Sequence, residues 1–265
     1  MTLKSLGPRL TAIGSGKGGT GKTFVALALA QAFADLGERV LVCDADLGLA
    51  NASVQLGLAS GGDLPGLLAG RIVMADAVTH VEISSHASFD LLSAPAGSGA
   101  LADADAETAE RLAALLKSAS GYDRVLIDLG AGVGSAAMIL AAHADDTLVL
   151  ATPDPASLTD AYAFAKLLLK RTGGRAPAIA VNMAAGAGEA KRTADALIRS
   201  AQTFLKVAPA YLGFVPSDLR VVEAVRRQTM LCALYPQSPA VIAIAALAGA
   251  LGGQTGGPQL ATSLR

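Results

Sequence analysis

Apolar residues along this chain gather in short, dense runs. Longer stretches between the runs repeat their apolar positions every three to four residues. The runs are Leu10-Thr-Ala-Ile-Gly14, Arg39-Val-Leu-Val-Cys43, residues 89–93, Arg124-Val-Leu-Ile-Asp128, and residues 146–151, 177–182 and 210–215. Their length and near-continuous apolar character are those of strands buried on both faces. The stretches between them predict helices near 22–36, 105–119, 134–142, 157–171, 187–205, 217–228 and 239–251. Strand and helix signals that alternate in this way predict an α/β fold. It is a doubly wound, mostly parallel sheet with helices on both faces.

Two helices can be read in more detail. Phe24-Val-Ala-Leu-Ala-Leu-Ala-Gln-Ala-Phe-Ala34 is apolar on nearly every side, which predicts a helix inside the core. Over 157–171, Ser157 and Asp160 are placed as a capping box, Lys170 and Arg171 suit the negative helix end, and Gly173 follows as a stop. Leu158, Tyr162, Ala165 and Leu169 share one face.

Composition narrows the class. The chain has 265 residues, of which 52% are hydrophobic. This predicts one domain over residues 1–251, with 252–265 (opening Gly-Gly-Gln-Thr-Gly-Gly-Pro) as a loose tail. No apolar stretch reaches the roughly 18–20 residues of a membrane span. The N-terminus lacks a signal pattern. Cys43 and Cys232 form neither a disulfide framework nor a Cys-x-x-Cys site, which fits a reducing cytoplasm. Net charge is −1 but uneven: residues 1–150 carry 9 basic and 16 acidic residues, and residues 151–265 carry 12 basic and 6 acidic. Ordinary solvated helix faces account for that asymmetry. A dipolar surface toward an anionic partner is the other reading.

The glycines change the picture most. Gly16-Lys17-Gly18-Gly19-Thr20-Gly21-Lys22-Thr23 satisfies G-x-x-x-x-G-K-[ST] between a predicted strand and a predicted helix, the context a phosphate-cradling P-loop needs. The loop would wrap phosphate oxygens at the positive end of the following helix. Lys22 would reach the β- and γ-phosphates and Thr23 would bind Mg²⁺. Lys17 is surplus to that task. Its backbone lies at the phosphates and its side chain is free to point elsewhere, which reads as a nucleotide switch working in pairs.

Three acids stand at strand ends, where ligands bind in an open parallel sheet. Asp128 is the candidate for the metal, Asp46 for orienting the attacking water, and Asp44 for ordering metal-bound water. Taken singly, each reads equally as a cap or turn residue. Leu129-Gly-Ala-Gly-Val-Gly134 has the composition of a switch loop. Asn182 ends another strand at the level where an amide could read adenine; a turn-former is the plain alternative.

Together these pieces resemble the deviant-Walker ATPases of the MinD/ParA group. The carrying residues are 17–23, Asp44-Ala-Asp-Leu-Gly-Leu-Ala-Asn51 and Asp128-Leu-Gly-Ala-Gly132. Within the group the chain is most similar to the FlhG branch (FleN, YlxH), which governs flagellar number and placement. The strings Thr152-Pro-Asp-Pro-Ala-Ser-Leu-Thr-Asp-Ala-Tyr162, Gly213-Phe-Val-Pro-Ser-Asp218, Val222-Glu-Ala-Val-Arg-Arg-Gln228 and Tyr235-Pro-Gln-Ser-Pro-Ala240 carry that likeness. It implies two molecules sandwiching two ATPs with Mg²⁺. Lys17 would cross to the partner's nucleotide, Lys22 would serve its own, and Asp46 would position the water. Asn182 and the Pro216–Asp218 segment would surround adenine. It further implies an ATP-dependent homodimer peripheral to the membrane or cell pole, a protein partner in the flagellar or polar machinery, and slow, partner-stimulated hydrolysis.

The chain departs from the group in two places. Residues 240–251 read Ala-Val-Ile-Ala-Ile-Ala-Ala-Leu-Ala-Gly-Ala-Leu, with no basic residue and no polar face, unlike an interfacial membrane helix. They read as the last buried helix of the domain. Leu129 stands where relatives more often carry a small or polar residue. The same fold serves other functions. A positioning ATPase for DNA, a chemosensory array or the division site would use Lys191, Arg192, Arg199, Lys206, Arg226 and Arg227 for nucleic acid. An ATP-dependent ligase would need a second substrate pocket, for which no acid or amide cluster is evident.

Overall fold

Alternate residues of the central strands face two separate cores. Leu10, Ala12, Leu41, Cys43, Val125 and Ile127 pack to one side, and Ile13, Val42, Leu126 and Leu148 to the other, all buried. A strand covered on both faces must be apolar at nearly every position, which is why these runs were dense rather than alternating. The computed structural model describes residues 7–46, 50–83, 87–95 and 105–253.

Eight strands form one sheet. They are β1 (Arg9–Gly14), β2 (Val40–Ala45), β3 (Thr79–Glu82), β4 (Ser88–Leu92), β5 (Arg124–Leu129), β6 (Asp146–Ala151), β7 (Ala178–Ala184) and β8 (Tyr211–Pro216). Their spatial order is β3-β4-β2-β5-β1-β6-β7-β8, parallel except for the antiparallel pair β3–β4. The predicted α/β, doubly wound, mostly parallel sheet is therefore the observed fold. One core is closed by helices Ala106–Lys117, Ser135–His143 and Pro155–Thr172, and the other by Lys22–Asp35 and Pro239–Gly252.

The departures are local. β2 runs on to Ala45, so Asp44, expected just past a strand, lies inside one, and β5 runs one residue beyond Asp128, which was expected to end it. β3 and the short helices Ala52–Gln55, Leu64–Leu68, Met74–Ala77 and Leu231–Leu234 carry too few turns or buried residues to show a period. The helix predicted from Ser157 starts at Pro155, with Asp154 as its cap. Asp154 Oδ1 accepts from Ala156 N at 3.1 Å. Ser157 is no cap: it is buried and its Oγ accepts from Thr152 N at 2.9 Å. The face of this helix that enters the core is Ala161, Phe164, Ala165, Leu168 and Leu169, with Leu158 and Tyr162 only partly buried beside it. The helix predicted over 187–205 is α-helical over Ala187–Ser200 and ends in a π-turn over Ala201–Leu205. The final helix buries Ala240, Ile244, Leu247, Ala248 and Leu251 but leaves Ile242 and Ala246 exposed, so it is a one-sided layer and not fully buried. Of the loose tail expected over 252–265, Gly252 is the last residue of the final helix and 254–265 lie outside the described residues, as do 47–49 of the Asp44–Asn51 string.

Candidate functional site

Because seven of the eight strands run parallel, their carboxyl ends gather on one edge of the sheet. β1 is central, with β5 on one side and β6 on the other. The strand order reverses there, which is the crevice where ligands bind in such sheets. The glycine loop follows β1. On its β5 side come Asp128, Asp44 and Asp46; on its β6 side come Asp154, Asn182 and Pro216–Asp218.

The loop is shaped by close approaches. A Cβ on Gly16 would overlap the Asp160 carbonyl of the crossing helix, and one on Gly21 would overlap the Asn182 amide nitrogen. Gly21 also has φ 85°, a left-handed value that glycine adopts without penalty, and it ends the loop just before Lys22 opens the helix. Inside the loop, Ser15 Oγ donates to Lys17 O at 2.7 Å and Thr20 Oγ1 donates to Ser15 Oγ at 2.9 Å. Gly19 has open space around it, and a Cβ on Gly18 would meet only the Ala131 methyl, at 3.8 Å. A free N-terminal helix end below an open glycine stretch is a ready-made anion site.

Lys22 is buried. Burial lowers its pKa, and the charges of Asp128 and Asp46 oppose that. Asp128 lies beside Asp44 in the β2–β5 register. Burial and the Asp44 charge push its pKa up to about 7, against the Thr23 hydroxyl hydrogen bond and Lys22. Its Oδ1 is buried without a hydrogen-bond partner among the described residues. Native proteins seldom leave such an atom orphaned. A hard divalent cation beside Thr23 would satisfy it, so the residues present fit Mg²⁺. No cluster of three His, Cys, Asp or Glu side chains able to hold a metal occurs among the described residues. Any cation here depends on phosphate oxygens and water for its remaining ligands.

Asp44 is held by backbone N–H groups. Oδ2 accepts from Asn51 N at 2.8 Å and Ala52 N at 2.9 Å, and Oδ1 accepts from Asp46 N at 3.2 Å. Its carboxyl is raised by burial despite these bonds. The residue expected to order metal water fixes the backbone that carries Asp46. Asp46 itself is half-buried beside the switch-loop glycines: a Cβ on Gly130 would lie 3.5 Å from its carboxyl carbon. Leu129 points into the core against Gly14, not toward the phosphates.

On the other side, Lys17 Nζ donates to Asp154, at the start of the helix after β6. Asp154 was missed from sequence, although its place before Pro155 marks it as a helix cap. Asn182 Nδ2 donates to Thr20 O at 2.8 Å and its Oδ1 accepts from Met183 N at 3.0 Å, so the amide expected at adenine braces the loop. Asp218, also expected at adenine, caps helix Leu219–Arg226 by accepting from Arg220 N at 3.0 Å. It also accepts from Ser238 Oγ at 2.8 Å. Pro216 ends β8 opposite Ala184. Of the cations considered for nucleic acid, Lys191 pairs with Asp195 and Arg227 with Glu223 on their own helices.

With this geometry in place, the comparisons with known proteins are decisive. The family model described as CbiA, the CobQ/CobB/MinD/ParA nucleotide binding domain, matches residues 11–231. The chain belongs to this family. Among curated proteins it is 33% identical to the antiactivator FleN of Pseudomonas aeruginosa, over 91% of this chain and 85% of that protein. It is 28% identical to the flagellum site-determining protein YlxH of Helicobacter pylori, over 92% and 81%. Among solved structures, MinD of Pyrococcus horikoshii complexed with Mg-ADP superimposes with a TM-score of 0.76 at 26% identity, covering 94% of this chain and 98% of that one. MinD of Aquifex aeolicus in complex with MinC gives 0.73 at 27%, covering 95% and 98%. The chain is thus a nucleotide-binding domain of the MinD/ParA ATPases with FleN and YlxH among its homologues. No described helix is long and apolar enough to cross a membrane.

Proposed function

We propose that this protein is an ATP-dependent dimerising switch that sets the number or placement of flagella or a similar polar structure. Hydrolysis returns it to the monomer. The reading is carried by one observation: Lys17 lies inside the phosphate loop yet directs its amine away from it, to Asp154. With Lys22 serving the chain's own nucleotide, the Lys17 amine would serve a partner's. FleN and YlxH both match over most of their length, and the name of YlxH, a flagellum site-determining protein, supports the flagellar assignment.

In this reading Gly16, Gly18, Gly19, Thr20 and Gly21 surround the phosphates, and Lys22 neutralises them. Thr23 and Asp128 hold Mg²⁺, which when bound screens phosphate charge. Asp44 orders metal-bound water and holds the backbone that carries Asp46. Asp46 accepts a proton from, and orients, the water that attacks in line; a positioned general base of this kind contributes roughly 10²–10⁴-fold. Asn182 retains one amide hydrogen for the base, beside Pro216 and the backbone near Asp218. The turnover is slow and raised by a protein partner of the flagellar or polar machinery. Docking on the membrane through the final helix receives no support from its apolar, uncharged outer face.

The test is genetic and biochemical together. A strain carrying Lys22→Ala in place of the native gene should show altered flagellar number or position, and the purified variant should neither bind nor hydrolyse ATP. Unchanged flagellation with lost ATPase would move the cargo elsewhere. ATP-dependent, salt-sensitive DNA retention by the native protein would favour a DNA-positioning function.

A further inference from the structure

β7 contains a bulge next to the nucleotide site. Asn182 pairs with Val215 and Ala184 pairs with Pro216, so Met183 is an extra residue with no partner position on β8. Met183 has φ 60°. A bulky residue enters the left-handed region only under constraint, and such residues concentrate at ligand sites. The constraint here is Asn182, whose Oδ1 holds Met183 N at 3.0 Å while its Nδ2 holds Thr20 O at 2.8 Å. Bulges beside active sites re-aim side chains. This one turns Met183 out: it is 46% exposed between the buried residues Asn182 and Ala184. Its terminal methyl lies 3.4 Å from where a Cβ on Gly21 would be, at the N-cap of the helix that follows the glycine loop.

We propose that Met183 is the apolar platform on which the purine base of the bound nucleotide rests. The inference rests on the nucleotide reading above and adds a base-recognising residue to it. Phosphates are held after β1, and β7 lies two strands away, about 10 Å at ordinary strand spacing. A nucleotide extends from phosphate to base over a span of that order. A thioether is polarisable and packs favourably against an aromatic ring. Methionine also has the length to follow the ring without being fixed in one rotamer. The Asn182 bonds make the platform part of the loop: the amide that fixes Met183 also fixes Thr20. Filling the base position therefore stiffens the phosphate cradle, and a ligand without a base cannot do so.

The experiment compares two ligands on three proteins. Binding of ATP and of inorganic tripolyphosphate, each with Mg²⁺, is measured by calorimetry on the native chain, Met183→Gly and Met183→Leu. Glycine accepts the left-handed angle, so Met183→Gly keeps the backbone while removing the platform. It should weaken ATP about three- to tenfold, the range of a sulfur–aromatic contact, and leave tripolyphosphate unchanged. Met183→Leu should retain most of the ATP affinity. Equal losses for both ligands would show a purely structural part for Met183 and overturn the proposal, as would an unchanged ATP affinity. A native chain that binds tripolyphosphate as tightly as ATP would also overturn it while leaving the phosphate site intact. A native chain that binds neither ligand would overturn the nucleotide reading itself.

Discussion

Lys17 Nζ and the Asp154 carboxylate, 137 residues apart in sequence, form an ion pair that ties the phosphate loop to the start of helix Pro155–Thr172. The pair holds the surplus lysine within its own chain. The Lys17 hydrogen bond, followed by that from Ala156 N, keeps the Asp154 carboxyl below its ordinary range. If Lys17 is to serve a partner's nucleotide, it must first leave Asp154. Asp154→Asn keeps a competent helix cap but removes the charge. It should lower the ATP concentration needed for half-maximal dimerisation about two- to fivefold, the modest effect of an exposed pair. Light scattering across an ATP titration measures this.

The close approach of helix Pro155–Thr172 to the loop gives a stability prediction. Gly16→Ala pushes a methyl into the Asp160 carbonyl and should destabilise the nucleotide-free chain by about 1–3 kcal/mol or more. Gly18→Ala, with its nearest neighbour the Ala131 methyl at 3.8 Å, should cost much less. Urea unfolding of the two variants provides the comparison.

Asp128 predicts a pH dependence. Its folded pKa, about 7, is above the unfolded value of about 3.8. Between those values the folded chain binds more protons than the unfolded one. Stability from this group therefore falls as pH rises from about 4 to 7 and is flat above. Asp128→Asn removes the penalty. Its gain in the nucleotide-free protein should be roughly 2–4 kcal/mol at pH 8 and small at pH 4, read from thermal midpoints across pH. Adding Mg²⁺ and nucleotide should reverse the ranking, since the native carboxylate then has a cation.

The strands and long helices were legible because doubly buried runs and long periods leave plain marks in sequence. The stretch from Ala52 to Glu82 was not. Its helices have four or five residues, and β3 buries only Val81. In the site, the loop stands out in sequence because its glycines fall at fixed spacing between a strand and a helix. Roles set by distant neighbours could not. Asp44 looks like Asp128 along the chain, yet one meets three backbone N–H groups and the other a lone Thr23 hydroxyl and Lys22. Asp154 becomes Lys17's partner only because β6 lies next to β1. Met183 shows nothing in sequence, as its bulge exists only relative to β8.

The central claim is that Lys17 acts on a second molecule while Asp46 acts on water. Molar mass by size-exclusion chromatography with light scattering, in ATP and Mg²⁺, tests both at once. Asp46→Ala should bind ATP, lose hydrolysis about 10²-fold or more, and accumulate as a dimer. Lys17→Ala should bind ATP with native affinity and elute as a monomer. A Lys17→Ala protein that dimerises like the native chain would contradict the account.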